Sequence, residues 1–102
     1  MKFENDDSAA RVVTVMRRKV GLAPDAAGFH TLGCAELHLE LFPEAVKHLR
    51  RAIELRPGFA EALLDLAQAC LGNGDLEGAR SAAAKAADLG QSLPPDLAAR
   101  LG

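Results

Sequence analysis

Apolar residues return every three or four positions along most of this chain, and the breaks in that rhythm divide it into helical segments. The first segment, about 7–20, sets Ala9, Val12, Val13, Met16 and Val20 along one stripe of a helix. Asp7 is the expected cap, Gly21 the expected stop, and Pro24 bars continuation. A second helix is expected over about 25–40, with Phe29, Leu32, Gly33, Leu37 and Leu41 toward the core. Glycine inside a helix costs roughly 1 kcal/mol relative to alanine, so Gly33 implies another backbone passing too close for a side chain. The third helix starts near Pro43 and carries Ala45, Val46, Leu49, Ala52, Ile53 and Leu55 to the break at Pro57-Gly58. A fourth follows over about 59–71, then the turn Gly72-Asn73-Gly74, then a fifth capped by Asp75 and ending near Leu89-Gly90. The stretch 94–101 opens one helix more. Links this short force successive helices into antiparallel hairpins.

Displacing the chain by 34 residues lays Phe29 on Leu63, Leu32 on Leu66, Gly33 on Ala67, Ala45 on Ala79 and Ala52 on Ala86, and Leu97 falls at the same interval after Leu63. Helical spacing repeated at that period marks a stack of helical hairpins, each burying its apolar face against the next. The chain then divides into a polar N-terminal arm at 1–7, a packing helix and turn at 8–24, two repeats at 26–59 and 60–93, and a C-terminal capping helix at 94–102.

The first copy reads Phe29-x2-Leu32-Gly33-x2-Glu36, then Ala45-x3-Leu49, Ala52 and Pro57. It resembles the tetratricopeptide repeat, whose pattern runs Trp-x2-Leu-Gly-x2-Tyr, Ala-x3-Phe, Ala and a closing Pro. The second copy reads Leu63-x2-Leu66-Ala67-x2-Cys70, Ala79-x3-Ala83 and Ala86, with Gln91 where the proline belongs. Glu36, Cys70 and Ala83 stand at positions the family fills with large aromatic rings. The resemblance implies an all-α fold, antiparallel hairpins stacked as a short right-handed superhelix, with a concave groove lined by the first helix of each hairpin. Transferred by register, Ala27, His30, Cys34, Leu37 and His38 line that groove from the first copy, and Glu61, Leu64, Gln68 and Leu71 from the second. Such a lining is mostly apolar. Some family members grip a C-terminal carboxylate with Lys and Asn, whereas His30, Cys34, Leu64 and Gln68 stand at the nearest equivalents here. An apolar or amphipathic segment is therefore the expected ligand, since its burial contributes about 25 cal/mol per Å² before ordering costs.

Composition agrees with one helical domain. The chain has 102 residues, enough for a single modest core, and its apolar share rests on Ala and Leu, which lose little freedom in a helix. A net charge of −2 gives no whole-molecule attraction to nucleic acid or anionic membrane, and neither is expected as a partner. Arg11, Arg17, Arg18 and Lys19 would form a basic patch with Lys47, Arg50 and Arg51 if their helices met. Neither stretch is interleaved with aromatic residues as a single-strand binder's would be, so a solvated face is expected. Cys34 and Cys70 fall mid-helix rather than in a disulfide pattern, and no apolar run approaches the roughly 18 residues that span a bilayer. A reducing, cytoplasmic setting is the expectation.

His30, Cys34 and His38 recur at every fourth position, so they share one helix face, and imidazole with thiolate suits zinc. The two histidines, however, stand about 12 Å apart along the axis, and one ion cannot touch all three residues. A closed site would need His48 or Cys70. The expectation is accordingly no metal, no cofactor and ordinary groove-lining roles. With no C-x-x-C pair, nucleophile motif or phosphate-binding loop, no enzyme is expected either. The sparsely charged run Ser81-Ala82-Ala83-Ala84-Lys85-Ala86-Ala87 calls for a cover, from the capping helix or from a second protomer. The expected function is a non-catalytic protein–protein interaction module, a scaffold, adaptor or chaperone-like part, that binds a peptide or helix. The alternative is a self-assembling structural module, a homodimer or larger homo-oligomer.

Overall fold

The computed structural model describes residues 3–102 as six helices: α1 (Asp6–Leu22), α2 (Ala26–His38), α3 (Phe42–Leu55), α4 (Ala60–Gly72), α5 (Leu76–Asp88) and α6 (Pro95–Leu101). Among the described residues there is no strand. Of the expected N-terminal arm, Met1 and Lys2 lie outside the described residues.

Helices α1, α2 and α5 start on side-chain caps. Asn5, not Asp7, caps α1, its side chain accepting the Ser8 backbone N–H at 2.8 Å. Asp6 and Asp7 consequently sit in the first turn, where their charge suits the positive helix end. Gly21 stays helical, because nothing breaks the ladder until Pro24, and the Ala23 N–H still donates to the Lys19 carbonyl at 2.8 Å. Asp25 caps α2 through Gly28 N–H and Asp75 caps α5 through Gly78 N–H.

The 34-residue period is visible in the turns as well. Leu41 N–H donates to the Glu36 carbonyl and Asp75 N–H to the Cys70 carbonyl, both at 2.8 Å, closing α2 and α4 with the same five-residue return. Each return places its penultimate residue in the left-handed region, Glu40 at φ 58° and Gly74 at φ 79°. Glycine takes that conformation freely, whereas Glu40 holds it at a cost of about 1–2 kcal/mol.

Packing runs helix to neighbour, α1 on α2, α2 on α3, α3 on α4 and α4 on α5, with α2 also touching α4. A smaller core joins Ala9, Val13 and Val20 of α1 to Leu32 and Ala35 of α2. A larger one runs from Ala45, Val46 and Leu49 through α4 and α5 to Leu97 of α6. Small residues let the helices close up. At Gly33 a β-carbon would lie 2.6 Å from Leu49 Cγ, so the close neighbour is a leucine side chain and not the backbone expected from sequence. The Phe42 ring likewise fills the space over Gly72. The alanine run of α5 is covered within the chain: Ala79, Ala82, Ala83 and Ala86 are buried in the larger core, while Ser81, Ala84, Lys85 and Ala87 face outward.

This contact predicts a non-additive pair. Leu49→Ala should cost about 2–5 kcal/mol, the usual loss for emptying a fully buried leucine site. Gly33→Ala should destabilise the native chain, as overpacking of about 1–3 kcal/mol outweighs a helix-propensity gain of about 1 kcal/mol. In the Leu49→Ala background the same methyl enters vacated space and should become neutral or stabilising. Urea unfolding of the four chains in the cycle checks the reversal of sign.

Candidate functional site

Because α2 and α4 open successive hairpins and touch each other, their outward faces form one wall, and α6 adds a third side. Between them lies a pocket of about 450 Å³ lined by Cys34, Leu37 and His38 of α2, Glu40, Phe42, Asp65, Gln68 and Gly72, and Arg100 of α6. Four of the nine residues expected from register, Cys34, Leu37, His38 and Gln68, therefore face one cavity. His30 is buried and paired with Asp65. Ala27 and Glu61, near the starts of their helices, are exposed and do not line the pocket. Leu64 and Leu71 are half-buried against the larger core, which also holds Leu97. The lining mixes apolar side chains with Glu40, Asp65 and Arg100, and is more polar than the sequence reading expects.

At the α2–α4 contact three unlike donors converge. His30 Nε2 lies 2.7 Å from Asp65 Oδ2, the Cys34 thiol donates to the same oxygen at 3.2 Å, and Cys34 Sγ lies 3.3 Å from His30 Nε2. The His30 ring packs on Phe59 at 4.7 Å between centroids, and the Arg56 guanidinium lies 4.5 Å from the Phe59 centroid. Both polar contacts of the imidazole use one nitrogen. A nucleophile–base–carboxylate relay needs two, one to take the nucleophile's proton and the other to hold the carboxylate, so this is not a catalytic triad. The thiol is also poorly disposed to attack: burial first, and then the Asp65 carboxylate, push Cys34 far above the ordinary thiol range. Burial also raises the Cys70 thiol, which sits apart in the larger core.

His38 turns away from this cluster. Its Nε2 lies 3.3 Å from Asp6 Oδ1 and its ring meets Phe3 edge-on at 5.4 Å, tying the end of α2 back to α1. His48, the other histidine considered as a ligand, is engaged on the opposite side of α2. There Glu36, fully buried, receives His48 Nδ1 at 2.6 Å and Arg17 Nη2 at 3.4 Å. A hydrogen-bonded carboxylate thus fills the place where the repeat pattern has an aromatic ring. The same back face brings Arg17, Lys47 and Arg51 around one shallow pocket with Phe29 and Glu54, while Arg50 lies 3.8 Å from Asp75. Arg11 lies beside Val12, Val15 and Met16 instead.

Asp65 escaped the sequence reading. Cys34 meets it 31 positions onward and His30 meets it 35 positions onward, three residues short of the repeat period and one beyond it. Pairing positions at those offsets, rather than at 34, is the signal that finds it. Glu36 and His48 carry a plainer one, a charged residue at an aromatic position with a histidine facing it across the hairpin.

A profile of the tetratricopeptide repeat matches residues 30–94, more than half of the chain, and the chain belongs to that family. The family is a protein-interaction fold and is typically non-catalytic. Among curated proteins, no match is found. No described helix is long and apolar enough to cross a membrane.

The two contacts on Glu36 should weigh very differently. Glu36→Ala leaves the largely buried His48 without its partner and should cost about 3 kcal/mol or more. Arg17→Ala removes a side chain that is 53% exposed and should cost about 1 kcal/mol or less. Urea unfolding midpoints of the two variants check the contrast.

Proposed function

We propose that the chain is a non-catalytic interaction module that holds a peptide or amphipathic helix of another protein in the groove between α2, α4 and α6. The observation that carries this reading is the pocket itself, where an apolar floor from Leu37 and Phe42 lies among hydrogen-bonding side chains Gln68, His38 and Arg100. That mixture suits a segment with one greasy side and one polar side. In this reading Cys34, Leu37, His38 and Gln68 touch the guest, His30, Leu64 and Leu71 support them from below, and Ala27 and Glu61 form the open rim. Neither nucleic acid nor membrane is a partner. Both cysteines are free and buried, which supports work in a reducing, cytoplasmic setting as scaffold, adaptor or chaperone-like part.

A photo-crosslinking residue placed at Gln68 should capture a partner polypeptide that the same residue at Lys47, on the exposed back of α3, does not capture. Affinity for that partner, measured on purified components, should then fall about tenfold or more, roughly 1.4 kcal/mol, in Gln68→Arg with helicity unchanged. Capture from Lys47 alone, or an unchanged affinity, overturns the groove reading. Self-assembly, the second reading, draws on α1, where Val15 is 62% exposed beside Ala10, Val12 and Met16. Light scattering over a concentration series, with Val15→Glu alongside, separates the two: a dimer dissolved by that change supports self-assembly, and a monomer throughout removes it.

A further inference from the structure

We propose that His30, Cys34 and Asp65 bind one divalent transition-metal ion of the zinc class, leaving a coordination position open toward the groove. The inference departs from the absence of metal expected from sequence, and Asp65 is the reason. His30 and Cys34 stand one turn apart on α2, a chelating pair, and α4 supplies the third donor at their meeting point.

Geometry carries the argument. The three donor atoms all lie within 4.8 Å of one another, with separations of 2.7, 3.2 and 3.3 Å. Tetrahedral zinc, at about 2.0–2.1 Å from nitrogen, 2.0–2.2 Å from oxygen and 2.3 Å from sulfur, spaces its ligands roughly 3.3–3.6 Å apart. The two edges to sulfur already approach that spacing. The nitrogen–oxygen edge must widen most, by about 0.6–0.8 Å, which a change in the Asp65 side chain supplies, and the sulfur edges by about 0.2–0.4 Å. Burial matches too: His30 and Cys34 are buried, whereas the Asp65 side chain is 25% exposed. Cys34 and Asp65 both line the 450 Å³ pocket, so an ion has an entry path and an exchangeable position facing it.

Donor chemistry selects the ion. Imidazole nitrogen, thiolate sulfur and carboxylate oxygen together suit zinc or cobalt and are a poor set for calcium or magnesium, which take oxygen. A thiolate and a carboxylate also balance a divalent charge, the thiol proton passing to solvent as the sulfur–metal bond forms. Bound there, the ion would tie the first hairpin to the second across the α2–α4 contact.

The test uses the full chain without a histidine tag, reduced and freed of metal by a chelator, and titrated with Co²⁺ alone. One equivalent should bind with the near-ultraviolet sulfur-to-cobalt charge-transfer band, and Zn²⁺ should bleach it. Cys34→Ser should abolish the band. His30→Gln and Asp65→Asn should each weaken binding on the order of 100-fold, while Cys70→Ser leaves it unchanged. No stoichiometric binding by the native chain, or a band that depends on Cys70 and survives loss of Cys34, overturns the proposal. If Cys34→Ser fails to fold, alkylation of the native chain decides: Zn²⁺ must slow modification at Cys34 alone, and protection of neither thiol overturns it.

Discussion

Leu49 lies fully buried over the bare backbone of Gly33, and that contact sets how closely the two helices of the first hairpin approach. A methyl at Gly33 would push α3 outward, and α3 in turn carries Ala45 and Val46 into the core shared with α4. The position of α4 relative to α2 follows from this chain of contacts, and with it the spacing of Asp65 from His30 and Cys34. The arrangement of His30, Cys34 and Asp65 thus depends on a missing β-carbon on α2.

The second hairpin solves the same problem with alanine. Ala67 stands 34 residues after Gly33 and Ala83 the same interval after Leu49, and both are buried in the larger core. The pair carries two side-chain carbons where glycine and leucine carry four, so the second crossing is filled with less side-chain volume than the first. Glu36 and Cys70 show a similar exchange at the aromatic position. Cys70 fills its site as a small apolar group, whereas Glu36 fills its site with a carboxylate held by His48 and Arg17. The carboxylate is tolerated because its lone pairs are answered, and its satisfaction draws α1 and α3 onto the same residue of α2.

Helix number and order were legible because the apolar rhythm is long and the breaks at Pro24, Pro57-Gly58 and Gly72-Asn73-Gly74 are chemically strong. The start of α1 was not. Asn5, Asp6 and Asp7 are all cap formers, so residue type does not single out Asn5 as the cap. At the groove, His30, Cys34 and His38 could be placed on one face from helical spacing, and Gln68 by the register that the family resemblance implies. What joins them could not, since Asp65 pairs across helices at offsets other than the repeat period and His38 is claimed by Asp6 of α1. Arg100 was equally hidden, because α6 follows a link longer than the one between α3 and α4.

That last helix differs from the other two sides of the groove in how it is held. It has seven residues, buries Leu97, and is further tied by the Arg80 side chain donating to the Leu101 carbonyl at 3.0 Å. Segments with so few anchors open at a lower free energy than the cores they lean on. Two sides of the cavity are thus anchored in the cores and the third is compliant, an asymmetry that lets the cavity change its width at α6 without disturbing the hairpins beneath.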